Sequence, residues 1–335
     1  MKKSVARVIL AGIMCFVSGV SFAVAEESEC AGATPAWPAG LPVYDHVVIV
    51  VEENKDYHEV IENAWAPYLN STLKAEGANF TKMFGEEHNS QGNYFWLFSG
   101  SNQSVGFKDE VPTTLFTVSN LGQQLIDKGK SFKGYSESLP AIGFAGNLST
   151  DMLYARKHAP WVSFSNVPNG TTIASSSNLR FSDFPADFSK LPTVSFVIPN
   201  LDNDMHNGDS DMAVPKGDAW LKTNIDPYYQ WAKAHNSLLI VTFDENNDRR
   251  HFKGLTNPTV IPTDEFRKDV QNRIATIFAG AHIKHGDFTE GDGVTHVNIL
   301  RTLEAMYGLP KSGKQQPNAA GGGITDDFII TDVFK

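Results

Sequence analysis

His46-Val47-Val48-Ile49-Val50-Val51 runs into Glu52-Glu53-Asn54, and Leu238-Leu239-Ile240-Val241-Thr242-Phe243 runs into Asp244-Glu245-Asn246. Both runs are short, continuous and rich in β-branched side chains, without the polar alternation of a half-wet strand. Each therefore reads as a strand buried on both faces. If the two are parallel neighbours, their acidic ends open into one crevice at the carboxyl edge of a sheet, where α/β folds place ligands. Acidic residues after a strand also open ordinary loops or cap the next helix. Two sites of matching form weigh against that reading, and an oxygen-rich crevice suits a metal ion.

Working outward, further strand signals fall at 79–84, 131–135, 193–198 and 273–278, with helical stretches at 68–76, 121–128, 220–235 and 297–307 and a helix starting near Ser90. Strands alternating with helices predict an α/β fold with a mostly parallel central sheet flanked by helices on both faces. Between 139 and 190 the periodicity weakens, and Ser, Asn, Pro and aromatic residues accumulate. That segment is expected to be an irregular lobe over the site, with Phe144, Trp161 and Phe164 either as its own core or as an apolar approach to the crevice.

The N-terminus has Lys2, Lys3 and Arg7, an apolar stretch over 8–20, and small residues at Ala23-Val24-Ala25, the pattern of a signal peptide over 1–25. The apolar part is shorter than the roughly 20 residues that a membrane span needs, so a periplasmic or secreted protein without a stable membrane anchor is expected. Residues 26–335 then read as a single domain, opening with an Ala-, Pro- and Gly-rich tail. Cys15 leaves with the signal and Cys30 remains, which excludes an intramolecular disulfide and a cysteine-ligated zinc site. A net charge of −10 argues against nonspecific binding to nucleic acid or anionic membrane. The Gly321-Gly322-Gly323 run reads as a connection, since no strand precedes it. The oligomeric state is not legible.

Three clusters lie between and beyond the acidic strand ends. In His88-Asn89-Ser90-Gln91-Gly92-Asn93-Tyr94, Ser90 reads either as a helix cap or as a nucleophile. Free amides after Ser90 would face a bound anion, and the Asn93 amide could donate to a phosphoryl oxygen. Asn200-Leu201-Asp202-Asn203-Asp204-Met205-His206 follows a strand and reads either as a solvated turn or as mixed oxygen and imidazole ligands, a set suited to zinc, manganese or iron. Thr295-His296 opens an amphipathic helix, where a lone histidine gains meaning only from the other clusters.

In this order, Glu53-Asn54, Ser90-Gln-Gly-Asn-Tyr, Asn200 through His206, Asp244-Glu245 and Thr295-His296 resemble the bacterial phosphoesterase family of acid phosphatases and C-type phospholipases, a branch of the alkaline phosphatase-like superfamily. The resemblance runs from about His46 to Pro310. It implies a divalent metal, of unknown identity, held by Glu53, Asn54, Ser90, Asp244 and Glu245 around a serine nucleophile. Asp204, His206 and His296 match polar groups on the far side of the phosphate, as metal ligands or phosphate donors; there the wider superfamily holds a second metal. Lys157 or His158 would bind phosphate oxygens.

Gly92 stands where relatives often have proline, and Ala159 where they have asparagine. Glu53-Asn54-Lys55-Asp56-Tyr57 looks more like the short phosphatase branch than the Arg-Ser-Phe-Asp continuation of the large phospholipases. The resemblance thus implies an exported, metal-dependent acid phosphatase acting on a small phosphoester. A phospholipase C and a catalytically inactive phosphate-binding protein are the alternatives.

Overall fold

The computed structural model describes residues 40–105, 109–247, 272–289, 293–313 and 326–335. The signal-peptide reading over 1–25, both cysteines and the glycine run at 321–323 lie outside them. The described strands are β1 (His46–Glu52), β2 (Ala78–Phe80), β3 (Met83–Phe84), β4 (Phe132–Ser136), β5 (Asn178–Arg180), β6 (Val194–Ile198), β7 (Ser237–Phe243), β8 (Arg273–Ile274), β9 (Thr276–Gly280), β10 (Gly286–Phe288) and β11 (Val294–Thr295). The α-helices are α1 (Tyr57–Val60), α2 (Ser90–Ser99), α3 (Leu121–Asp127), α4 (Ser210–Asn224), α5 (Asp226–Ala232) and α6 (His296–Met306).

The fold is α/β, with an eight-stranded central sheet in the order β10-β2-β9-β7-β1-β6-β4-β5. Its middle is parallel: β1 pairs with β7 from His46↔Ser237 to Glu52↔Phe243, and with β6 from Val47↔Val194 to Val50↔Val197. All seven residues of β7 are buried, as are all of β1 after His46. This is the burial that unbroken apolar runs demand, because helices cover both faces of a parallel sheet. β9 runs antiparallel to β7 and β2.

Two strand readings divide. The 79–84 stretch turns at Thr81-Lys82, so β2 joins the large sheet and β3 joins a second sheet of order β11-β3-β8. The 273–278 stretch likewise divides between β8 and β9, one in each sheet. The small sheet matters to the site, since β3 leads into the segment before Ser90 and β11 leads into His296. The helical stretch at 220–235 also divides, with α4 ending at Asn224 and α5 starting at Asp226, followed by Pro227 at a helix-opening position.

The lobe at 139–190 is irregular, with short 3₁₀ turns, but it does not build a core of its own. It supplies edge strand β5, and its Trp161 and Phe164 are buried against the main core. Trp161 meets Phe132 and Phe196, and Phe164 meets Phe95 and Phe98 of α2. Gly134 permits this closure, because a Cβ there would come within 2.2 Å of the Trp161 ring. Among the described residues no helix is long and apolar enough to cross a membrane.

Gly134→Ala is expected to destabilise the fold by about 1–3 kcal/mol, because the buried indole, packed against Phe132 and Phe196, has nowhere to retreat. Urea denaturation followed by tryptophan fluorescence reads this; an unchanged midpoint would mean that the lobe yields freely.

Candidate active site

The in-register pairing of β1 with β7 brings the two acidic ends together. Asn54 N–H donates to Asp244 Oδ1 at 3.1 Å, and Asn54 Nδ2 to Glu245 Oε1 at 3.1 Å. The loop after β6 joins them, because Glu53 N–H donates to the Asp204 carbonyl at 2.7 Å. Glu53, Asp204, Asp244 and Glu245 are each at most 1% exposed. Four buried carboxylates in one crevice repel one another and have lost their water. Burial, followed by neighbouring carboxylates, accordingly pushes Asp204 and Asp244 well up, and burial raises Glu245 against the opposing effect of His88. Glu52 points elsewhere; its two buried oxygens have no hydrogen-bond partner, and burial drives its carboxyl well above the usual range.

Glu53 is the exception. Burial works against its charge, but His158, Lys157, His206 and the Tyr94 hydroxyl outweigh it and hold its pKa below the ordinary value. Ser90 Oγ donates to Glu53 Oε2 at 3.0 Å, and Tyr94 OH to Glu53 Oε1 at 2.7 Å. Tyr94 lies one helical turn beyond Ser90, so both hydroxyls fall on one face of α2. That spacing was the available signal for a tyrosine to which the sequence reading assigned no role. Tyr94 also stacks on His158, with ring centroids 5.0 Å apart. His158 Nε2 lies 3.2 Å from Glu53 Oε1 without hydrogen-bond alignment, and burial lowers the pKa of the imidazole to about 4.

Ser90 is not the cap of α2 but its first residue. Asn89 holds the cap position at φ 87°, a conformation that costs a non-glycine residue roughly 1–3 kcal/mol. Glu245 holds it there, accepting Asn89 N–H at 2.7 Å, while His88 Nδ1 lies 3.0 Å from the same oxygen, Oε2. All ten residues of α2 are buried, as expected of a helix apolar on several faces. Gly92 has a steric role: a Cβ there would lie 2.0 Å from Glu87 Oε1. Glu87 is wholly buried and accepts from Trp96 Nε1 and Asn102 Nδ2.

Several expected roles change in the folded chain. The amides after Ser90 are engaged, with Gln91 N–H donating to Asp109 Oδ1 and Gly92 N–H to the Asn89 carbonyl. Asn93 spends its side chain on the loop before Ser90: Oδ1 accepts Glu86 and Glu87 N–H, and Nδ2 donates to the Glu87 carbonyl. His296 also faces inward, with Nδ1 at 2.5 Å from Glu86 Oε2 and Nε2 at 2.7 Å from the Phe243 carbonyl. Burial opposes its charge, but Glu86 prevails and raises its pKa. Lys157 and His206 stay at the rim, both partly exposed. Lys157 Nζ donates to Asp109 Oδ2 at 2.7 Å, and the rings of His158 and His206 lie 6.5 Å apart.

The donor chemistry fits a divalent cation, since Asp204 Oδ2 and Asp244 Oδ2 are buried without a hydrogen-bond partner. A hard cation takes such oxygens and offsets their mutual repulsion. Among the described residues no three His, Asp or Glu side chains form a ready coordination shell. The oxygens of Glu53 and Glu245 are instead turned to protein donors.

The buried Ser90 faces a carboxylate crevice at the carboxyl ends of parallel strands, where α/β folds place their ligands, and comparison with known proteins gives the class. Residues 62–310 match the phosphoesterase family, to which the chain belongs. It is thus a phosphoric ester hydrolase. The chain is 42% identical to a phosphatidylinositol-3-phosphatase from Mycobacterium tuberculosis over 82% of its own length and 81% of that protein. A probable acid phosphatase from Kluyveromyces lactis is 29% identical over 81% of this chain, which spans 60% of that protein. A solved structure of an alkaline phosphatase superfamily protein from Vibrio parahaemolyticus shares the fold, with a TM-score of 0.54 at 12% identity over 81% of this chain and 68% of that one.

His296→Ala should cost about 3 kcal/mol, since it leaves Glu86 without its buried partner. His206→Ala should change stability by about 0.5 kcal/mol or less, as surface substitutions do. Urea unfolding of the two variants tests the contrast, and equal losses would contradict the inward role of His296.

Proposed function

We propose that this chain is an exported, metal-dependent acid phosphatase that hydrolyses phosphomonoesters through Ser90. Residues 26–335 would act as one domain in the periplasm or outside the cell. One observation carries the reading: the Ser90 hydroxyl sits at the start of a buried helix, hydrogen-bonded to Glu53 inside a crevice whose other walls are Asp204, Asp244 and Glu245. The names of the relatives from Mycobacterium tuberculosis and Kluyveromyces lactis support hydrolysis of phosphomonoesters.

The hydrogen bond to Glu53 fixes the Ser90 rotamer and gives the hydroxyl proton an acceptor as Oγ attacks phosphorus in line, while the bond from phosphorus to the ester oxygen breaks and the alcohol leaves with a proton. A divalent ion held by Glu53, Asn54, Ser90, Asp244 and Glu245, with Asp204 as a further candidate ligand, would lower the serine pKa and polarise the phosphoryl oxygens. Lys157, His158 and His206 line the side from which the substrate's oxygens approach. Burial and the charge of Lys157 depress the His158 pKa while Glu53 opposes that shift, so its imidazole can take up and give back one proton between Glu53 and the incoming phosphoryl group. Lys157 keeps its charge beside Glu53 and Asp109 and offsets the negative charge that grows on the phosphoryl oxygens. Water then cleaves the phosphoserine, returning Ser90 and releasing phosphate.

The phospholipase alternative asks for an apolar approach to the crevice. Trp161 and Phe164 are at most 2% exposed and committed to the core, and Phe144 is half-buried against that core, edge-on to Tyr154, which favours the phosphatase reading.

Ser90→Ala should reduce hydrolysis of p-nitrophenyl phosphate by at least about a thousandfold with the melting temperature preserved; near-wild-type turnover would overturn the mechanism. The wild type should prefer this monoester to a phosphocholine diester, and the reverse preference would restore the phospholipase alternative. Asp244→Asn should lower bound divalent metal in elemental analysis, whereas equal metal content in both proteins would remove Asp244 from the ligand set.

A further inference from the structure

Asp109 exchanges no proton and forms no bond in the steps above, yet it touches two of the groups nearest the nucleophile. Its Oδ1 accepts the N–H of Gln91, the residue after Ser90, at 3.3 Å, and its Oδ2 accepts Lys157 Nζ at 2.7 Å. Gln91 Nε2 donates in turn to the Glu110 carbonyl at 2.8 Å. Both the backbone and the side chain of the residue following Ser90 therefore hold segment 109–110 against the start of α2. The carboxylate is a bridge between that helix start and the ammonium of a different loop.

Lysine is a compact charge on a long flexible stem, and it stays in one place only if something fixes it. The crevice beside Lys157 holds the carboxyl groups of Glu53 and Asp244, and the charge of Glu53 pulls on the ammonium. Without a competing partner the ammonium would be drawn down among these carboxylates, where a metal would have to displace it. Asp109 opposes that pull from the rim. One Lys157 N–H is used on Asp109 Oδ2, and the ammonium's other two N–H groups remain for an incoming anion.

We propose that Asp109 is the positioning residue for Lys157, holding its ammonium at the rim of the crevice beside Ser90, where it receives the phosphoryl oxygens of a phosphomonoester. The inference rests on the phosphatase reading for its substrate. Asp109 touches neither substrate nor reacting atoms. The opposite role for the same geometry is competition, in which the carboxylate occupies the anion's place and must leave before phosphate binds.

The test combines calorimetric titration of metal-loaded protein with inorganic phosphate and steady-state kinetics on p-nitrophenyl phosphate, using Asp109→Asn, Asp109→Glu, Lys157→Met and the Asp109→Asn/Lys157→Met double variant. Asp109→Asn is expected to weaken phosphate binding and raise KM, each about tenfold, with kcat changed by less than about threefold. Asp109→Glu should recover part of the loss, and the double variant should be no worse than Lys157→Met alone, since the two residues act as one unit.

Tighter phosphate binding by Asp109→Asn would establish competition and overturn the proposal. Losses that multiply in the double variant, or that simply follow a fall in melting temperature, would overturn it as well. Because phosphate binding is read without turnover, a wild type that binds phosphate but hydrolyses no monoester defeats the phosphatase reading alone. Unchanged phosphate binding in an active Asp109→Asn variant defeats the positioning role alone.

Discussion

The parallel pairing of β1 with β7 is the constraint on which the rest of the site depends. Seven paired positions, from His46↔Ser237 to Glu52↔Phe243, leave no freedom in where the two acidic ends fall. Both strands are apolar along their length, so a slip in register would unpair buried backbone groups, a severe cost in a sheet covered on both faces. The register therefore sets Asn54 against Asp244 and Glu245 and concentrates negative charge where water is excluded. Most of the surrounding structure compensates for that concentration. Ser90, Tyr94, Asn54 and the backbone of Asn89 donate hydrogen bonds to these carboxylates, His88 sits against Glu245, and Lys157 brings positive charge to the rim.

The same economy explains the segment before Ser90. The Asn89 backbone is strained, and the strain persists because Glu245 binds its N–H from one side while Asn93 and Asn272 tie down the preceding residues from the other. Asn272 Nδ2 donates to the Glu87 carbonyl, and Asn272 Oδ1 accepts the Asn246 N–H. His296 extends this brace, joining Glu86 to the carbonyl of Phe243, the last residue of β7. The serine and the carboxylates of β7 are thus tied into one polar network. Preorganisation of that kind is what electrostatic stabilisation of a developing charge requires.

Legibility in the sequence followed the range of the interactions involved. The β1 and β7 runs were readable because burial on both faces leaves a local mark, an unbroken β-branched stretch. The 79–84 and 273–278 stretches read as single strands because apolar content does not report which sheet a residue joins or in which direction it runs. Trp161 and Phe164 read equally well as lobe core or as an apolar approach to the site, and only Gly134, far away in sequence, shows where the indole goes. Asn93 and His296 could be named as polar and well placed, but the direction of a side chain is decided by partners such as Glu86 and Glu87, whose role no spacing announces. Asp109 gave no signal, since it lies in no motif and acts through residues 18 and 48 positions away.

By itself the sequence determined the α/β class, the two acidic strand ends, the serine between them and the family resemblance, because each is written in contiguous residues or in the order of short motifs. Only the tertiary structure decided that Glu53, Asp204, Asp244 and Glu245 share one crevice with Ser90, and that Asn93 and His296 brace it from behind. Register, strand direction and side-chain direction are settled by contacts between residues far apart in the chain, where excluded water makes every unpaired polar group costly. That cost is paid or avoided only once the chain has closed around the site.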